Sequence, residues 1–254
     1  LTMYCHREAF DIAQTERPRH ATEIAAGAAE YDTVIALGGD GVVHEVACGL
    51  MRIEEGRRPT LGVIPVGSGN DFARTLGLTD VTDVSGTDFS PLLTSSAAPI
   101  DVLEITCRSH TGGTTRTWTE YAVQTISFGL DAAIAIDTHA MRKITGLTGA
   151  PLCPASGLKP CGRDYRDFPA HVRFDGGAEK RVRAIMFAIQ NGPTYGSGFR
   201  ICPQADPCDG LFDVCYATGP VPRAVALPVF LSAKNGGHTH NPHVHLQRAK
   251  RVDL

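Results

Sequence analysis

The chain has 254 residues, 43% of them hydrophobic and 20% charged, with a formal net charge of -3. This is globular composition, long enough for one large or two modest domains, and it excludes collagenous and low-complexity classes. Charge is uneven: residues 1–100 carry 7 Lys/Arg against 14 Asp/Glu, and residues 101–254 carry 17 against 13. A cationic second half suits an anionic surface better than the first half does, but scatter over two domains is the preferred reading. No nucleic-acid partner is expected.

The eight cysteines include no C-x-x-C pair. Cys153 and Cys161, or Cys202, Cys208 and Cys215, do not match zinc spacing, so free thiols in a reducing cytoplasm are expected. Apolar stretches such as Ala184–Ile189 fall far short of the roughly 18 residues of a spanning helix. His6, Arg7 and Glu8 break up any leader peptide, and the chain begins with Leu1, which points to a missing beginning.

In chain order, Ala21–Glu30 reads as an Ala-rich helix with Thr22 as a candidate cap. Thr33–Leu37 is a continuous apolar run, as in a strand buried on both faces of a parallel sheet. After Gly38–Gly41, the residues Val42, Val43, Val46, Ala47, Leu50 and Met51 recur at helical spacing. Leu61–Pro65 is a second buried strand, Gly67–Asn70 a second Gly-rich turn, and Asp71–Leu76 opens another helix. Strand, Gly-loop and helix thus occur twice, which argues for an open α/β sheet. Thr79–Pro99, rich in Ser, Thr and Asp, reads as a poor helix before a linker. Beyond Ile100 the runs Val102–Thr106, Arg116–Val123, His171–Phe174, Arg181–Ile189 and Leu211–Ala217 are strand-like. Asp131–Met141 alone reads as a clear helix there. The expected organisation is an α/β domain over 1–98 and a mainly antiparallel, β-sandwich-like domain over 99–254.

Gly38-Gly39-Asp40-Gly41 is the sharpest motif. Glycines at a strand end let backbone approach a phosphate, and the following helix points N–H groups at it. Asp40 would repel a bare phosphate; it makes sense if Mg²⁺ intervenes, if it caps the helix, or if it holds the loop. The bland alternative is a tight turn with an Asp cap. Gly67-Ser68-Gly69-Asn70 shifts the balance, because two loops at neighbouring strand ends form the crevice where open α/β sheets bind ligands. Ser68 and Asn70 would then offer neutral hydrogen-bonding groups. Phe72 stands where a dinucleotide fingerprint needs its third glycine, and no G-K-[ST] follows either loop, so both commoner phosphate motifs are disfavoured.

Gly38-Gly39-Asp40-Gly41-x-x-His44-Glu45-Val46, followed by Pro65-x-Gly67-Ser68-Gly69-Asn70-Asp71-Phe72-Ala73-Arg74, resembles the catalytic domain of the diacylglycerol kinase family. It is nearest to the bacterial soluble lipid kinases, with sphingosine kinases as relatives. Phe128-Gly129-Leu130-Asp131-Ala132, Asn191-Gly192 with Tyr195–Gly198, Pro203-x-Ala205-x-x-x-Asp209-Gly210-x-Phe212-Asp213-Val214, and Gly237-His238-Thr239-x-x-Pro242-x-Val244 extend the resemblance in order. It implies an ATP-dependent lipid kinase, acting on diacylglycerol or a similar neutral lipid at a membrane surface. The protein would be cytoplasmic, with room for a peripheral place on the inner membrane face. Gly38, Gly39, Asp40, Gly41, Gly67, Ser68, Gly69 and Asn70 would hold ATP. Asp209 would bind a structural Mg²⁺ through its side chain, with the carbonyls of Asp206 and Leu211; the bland alternative is an Asp-Gly turn between strands. An NAD kinase-like phosphotransferase and a non-catalytic nucleotide-binding remnant are the alternatives. The resemblance also implies an Asn-Pro loop before Leu1 and a catalytic Asp, in an Asp-Gly-Glu turn, beyond Leu254. No base is therefore assigned, and oligomeric state is left open. Val42 stands where many relatives carry Thr.

Some residues invite further readings. His238, His240, His243 and His245 read as solvated loop histidines in preference to a metal cluster, since Pro242 breaks any helical register. His44 could contact substrate, yet the helix pattern puts it on the polar face beside Glu45. Glu45 could touch Mg²⁺ or stabilise the first helical turn. Arg248, Lys250 and Arg251 read as a solvated strand edge in preference to a contact for anionic headgroups.

Overall fold

A computed structural model describes residues 10–78, 92, 96–145 and 165–254, with the side chains of 139–145 left aside. Cys153, Cys161 and most of the Thr79–Pro99 linker lie outside the described residues. The chain divides into two compact units. One is Leu1–Pro99 with Glu104–Ala122; the other is Ile100–Leu103 with Val123–Leu254. The chain thus crosses between units three times, and Glu104–Ala122, expected with the second domain, groups with the first unit.

In the first unit, β1 (Thr33–Gly38) and β2 (Thr60–Pro65) pair in parallel, with Gly38 opposite Pro65. Their apolar runs bury Ala36, Val63 and Ile64. The helix α2 (Asp40–Leu50) follows β1 and buries Val43, Val46, Ala47 and Leu50, the positions its period predicts. The helix α1 (His20–Ala26) lies against α2 through Gly49, where an added Cβ would stand 2.5 Å from the Thr22 carbonyl oxygen. Thr22 does not cap α1. It lies inside the helix, buried, and its hydroxyl donates to the Glu45 carbonyl at 2.9 Å. Arg19 occupies the cap position in a left-handed conformation (φ 64°), and its N–H donates to Glu45 Oε1 at 3.0 Å. Glu45 is thereby fixed to the chain entering α1. A short α3 (Asp71–Thr75) buries Phe72 and Ala73.

The strands β3 (Leu103–Thr111) and β4 (Thr114–Ala122) form a separate two-stranded sheet. Gly112 (φ 59°) and Gly113 (φ 80°) join them, both in the left-handed region that a type I′ hairpin turn demands. The root of β4 meets α2, where the Cys48 thiol donates to the Tyr121 carbonyl at 3.3 Å.

The second unit is an antiparallel sheet in the order β10-β6-β7-β8-β9, with β5 also pairing with β7. Its strands are β5 (Thr125–Gly129), β6 (Phe168–Phe174), β7 (Lys180–Gln190), β8 (Phe212–Thr218), β9 (Val244–Ala249) and β10 (Val252–Asp253). One core cluster holds Val172, Phe187, Val214 and Tyr216. Another holds Ala188, Ile201, Cys202, Cys215 and Ala233. Successive residues of β7 and β8 serve different clusters, so both faces of the central strands are covered, as in a sandwich. Full burial of Phe187 and its neighbours contributes about 1.5–3 kcal/mol each. The helix α4 (Leu130–Thr145) leaves β5 directly after Gly129. Gly129 has φ 96°, and a Cβ there would sit 2.4 Å from the Ile185 carbonyl oxygen. The helix α5 (Arg223–Ser232) was not among the expected elements. Pro222 caps it and Pro228 sits within it.

Candidate functional site

Because β1 and β2 run in register to Gly38 and Pro65, both Gly-rich loops leave the sheet at one level. They touch backbone to backbone: a Cβ on Gly67 would lie 2.3 Å from Gly39 Cα, and one on Gly39 would lie 2.9 Å from Gly67 Cα. Side chains are excluded at both positions, so main-chain groups form this contact. Val66 N–H donates to the Gly38 carbonyl at 3.2 Å. Asp40 Oδ1 accepts the Phe72 N–H at 3.0 Å, tying the start of α2 to the start of α3. Of the roles left open for Asp40, the structure displays that of holding the loops together.

Asn70 differs from expectation. It is buried and left-handed (φ 52°). Its Oδ1 accepts the Gly67 N–H at 2.9 Å, and its Nδ2 donates to the carbonyls of Gly67 at 2.9 Å and Pro65 at 3.4 Å. The amide faces the loop interior and not a ligand beside the loop, as its sequence position suggests; Ser68 is exposed instead. Arg74 Nη1 pairs with Asp71 at 2.8 Å and Nη2 donates to the Gly69 carbonyl at 3.0 Å, closing the loop from outside. At the start of α2, Gly39 is extended and no side chain caps the helix. Its first N–H groups and dipole are arranged as an anion-binding terminus.

The profile described as "Diacylglycerol kinase catalytic domain" matches residues 2–105. That described as "YegS C-terminal NAD kinase beta sandwich-like domain" matches residues 124–254, more than half of the chain. This chain belongs to the diacylglycerol kinase and YegS lipid kinase family. It is 28% identical to "Diacylglycerol kinase" of Bacillus subtilis over 96% of this chain and 77% of that protein. It is 32% identical to "Probable lipid kinase YegS-like" of Chromohalobacter salexigens, over 71% of this chain and 52% of the relative. The Citrobacter koseri "Probable lipid kinase YegS-like" is 30% identical, and 57% of it is spanned. The chain therefore spans little more than half of several curated relatives. The solved structure described as "Crystal structure of a putative diacylglycerol kinase from Bacillus anthracis str. Sterne" shares the fold, with a TM-score of 0.63 and 21% identity over 94% of this chain and 71% of that one.

The second expected site lies within the second unit. Asp206 Oδ1 accepts the Cys208 N–H and Asp209 Oδ1 accepts the Leu211 N–H, each at 3.0 Å. These Asx turns account for the local shape of the segment. Asp209 Oδ2 pairs closely with the Arg248 guanidinium, which also approaches Asp213 at 3.7 Å. Asp101 Oδ2 accepts the Gly210 N–H at 2.6 Å. Burial first, and then Asp206, pushes the Asp213 carboxyl above its ordinary range. Two carboxylates, Asp209 and Asp213, thus face one guanidinium, an anionic oxygen set that suits a hard cation by charge. Asp209 would have to exchange Arg248 for the ion. Among the described residues, no three His, Cys, Asp or Glu side chains group as a metal site by themselves, so backbone carbonyls would be required. Arg248 itself, expected at a solvated edge, is the partner that sequence reasoning missed. Its separation from Asp209 by 39 residues left no local signal.

Deeper in this unit, the Tyr195 hydroxyl donates to Asp131 Oδ2 at 2.7 Å. Burial raises the Asp131 carboxyl to about 6, against hydrogen bonds from Tyr195 and Ser127 that lower it. His238 is not a solvated loop residue. It is buried, with Nε2 3.0 Å from the Ile201 carbonyl oxygen and 3.8 Å from Cys215 Sγ. His245 stacks on Tyr216, which stacks on Phe187. Burial pushes the Cys215 thiol up to about 12 and raises Cys202 as well, so both are inert core groups.

Proposed function

We propose that the chain belongs to an ATP-dependent kinase that phosphorylates a lipid hydroxyl, with diacylglycerol or a similar neutral lipid alcohol as acceptor. The observation carrying this reading is the backbone contact of Gly39 with Gly67, locked by Asp40 on the Phe72 N–H. It leaves a small-residue surface at a helix N-terminus, where a triphosphate can come close to main-chain donors. Gly38, Gly39, Gly41, Gly67 and Gly69 would supply that surface, and Ser68 a hydroxyl beside it. Asn70 would shape the second loop from within. In the transfer, the lipid oxygen bonds to the γ-phosphorus, the bond from that phosphorus to the bridging oxygen breaks, and ADP leaves. The hydroxyl proton goes to a base that no residue of this chain is assigned to provide. The residues named here bind and position; in phosphoryl transfer, positioning and charge neutralisation supply most of the rate.

We further propose Mg²⁺ at Asp209 with the carbonyls of Asp206 and Leu211, supported by the excess of carboxylate around Arg248. A bound divalent ion there would neutralise that charge and fix the turn before β8. No helix of the described residues is long and apolar enough to cross a membrane, so the reading includes a lipid met at the bilayer surface. The test is incubation with labelled ATP, Mg²⁺ and mixed neutral lipids in detergent micelles. Label in a lipid phosphate is expected; label in NADP, with none in lipid, would overturn the reading in favour of an NAD kinase-like transfer.

A further inference from the structure

A concave site lined by no residue of the Gly-rich loops lies in the first unit. The β3–β4 hairpin and Arg19 enclose about 620 Å³, with Arg19, Arg116, Trp118 and the hydroxyls of Ser109 and Thr114 on its wall. Alternation along β4 puts Thr114, Arg116, Trp118 and Glu120 on one face, and the two-residue turn sets Ser109 on the neighbouring strand beside them. On the opposite face His110 Nδ1 lies 2.9 Å from Thr115 Oγ1. Every residue of β4 from Thr114 to Thr119 is exposed. A two-stranded hairpin this bare on both faces is marginal by itself in water.

Its chemistry is polarised. The hairpin carries Arg108 and Arg116 nearer its turn and the carboxylates Glu104 and Glu120 at its root. Glu120, at the root, is answered by Arg19 at 3.3 Å. Trp118 is the single tryptophan of the chain, 37% exposed, and the Arg116 guanidinium stands 5.8 Å from its ring centroid. An amphipathic indole flanked by guanidinium groups and hydroxyls matches the headgroup layer of a bilayer. There the ring sits among carbonyls, and cations and hydroxyls meet lipid phosphates.

We propose that the β3–β4 hairpin docks the protein on an anionic phospholipid surface, with Trp118 at headgroup depth and Arg116 and Arg19 on lipid phosphates. The proposal rests on the lipid-kinase reading only for the need to meet a bilayer. The two are separable, because docking is measured without nucleotide. Vesicles of phosphatidylcholine containing about one third phosphatidylserine are compared with pure phosphatidylcholine, by co-sedimentation and by tryptophan emission. Expected are salt-sensitive binding to the anionic vesicles, a blue shift of Trp118 emission, and its quenching by acyl chains brominated near the headgroup. Arg116→Glu should weaken binding by about fivefold or more, with an unchanged far-ultraviolet circular dichroism spectrum. Arg116→Gln gives the same readout if charge reversal unfolds the hairpin. Trp118→Ala, followed by sedimentation, should weaken binding to both vesicle types. Binding with unmoved Trp118 emission, equal binding to neutral vesicles, or wild-type binding by both Arg116 variants would each overturn the proposal. Vesicle binding with no lipid phosphorylation would break the kinase reading and leave the docking surface standing. Phosphorylation in micelles with no vesicle binding would do the reverse.

Discussion

The Gly-loop pair of the first unit and the Asp-Gly turn before β8 resemble each other in sequence, each a short Gly- and Asp-rich break beside a strand. They are built on opposite plans. In the loop pair, main chain touches main chain, and Asp40 and Asn70 turn their polar atoms on the loops themselves. Nothing there can be exchanged without moving backbone. In the turn, the carboxylates of Asp206 and Asp209 lie near the surface, and Asp209 holds a half-exposed guanidinium. That partner can be traded for an ion. A rigid site tolerates little substitution, and an exchangeable one tolerates much.

Gly67→Ala breaks the comparison most directly. Its methyl group would stand 2.3 Å from Gly39 Cα. Backbone must then shift, at a stability cost of about 1–3 kcal/mol. Nucleotide affinity, read by calorimetry, should fall about tenfold or more, the equivalent of losing about one main-chain hydrogen bond to a charged phosphate. Wild-type affinity would show that the loop contact is not the nucleotide site. Asp40→Ala removes the acceptor for the Phe72 N–H and should cost about 1–3 kcal/mol in denaturant unfolding. Asp40→Asn keeps an acceptor oxygen and should recover most of that loss. If Asn restores stability but not ATP binding, the carboxylate has a further role toward a cation.

Asp131 lies between the two plans, a buried carboxyl raised from 3.8 to about 6. Its folded form holds the proton more tightly than the unfolded form. Stability from this group is therefore greatest below about pH 4, falls as pH rises to about 6, and is level above that, a span of about 2–3 kcal/mol. Asp131→Asn should flatten that slope in urea titrations and leave the neutral-pH protein at least as stable, since the amide oxygen can still accept from Tyr195. A slope unchanged in the variant would assign the pH dependence elsewhere. Smallest is the effect at the turn. Arg248→Gln frees Asp209 and should tighten Mg²⁺ binding about two- to threefold, the scale of a half-exposed ion pair. Weaker Mg²⁺ binding in that variant would place the ion away from Asp209.

The first unit was largely legible in sequence, and for a physical reason. The runs Thr33–Leu37 and Leu61–Pro65 are short, apolar and followed by glycines, so strand, loop and helix follow from local chemistry alone. The α2 core face came directly from its period. What remained hidden depended on distant partners. Thr22 looked like a cap because Glu45, its partner, lies 23 residues away. Asn70 looked like a ligand because only the closed loop shows its amide turned inward. In the second unit, β5 and α5 were both overlooked, and Pro228 lies within α5. His238 looked solvated until Ile201 and Cys215 closed over it. The candidate site was thus legible as a set of residues, but the orientation of each side chain was not.

The threefold crossing of the chain bears on how the protein is made. Residues Glu104–Ala122 belong to the first unit, yet Ile100–Leu103, just ahead of them, belong to the second. A nascent chain that has emerged only to Pro99 lacks the β4 root that supplies the Tyr121 carbonyl to Cys48. The first unit therefore gains its contact between Cys48 and Tyr121 only after Ile100–Leu103 of the second unit have been synthesised.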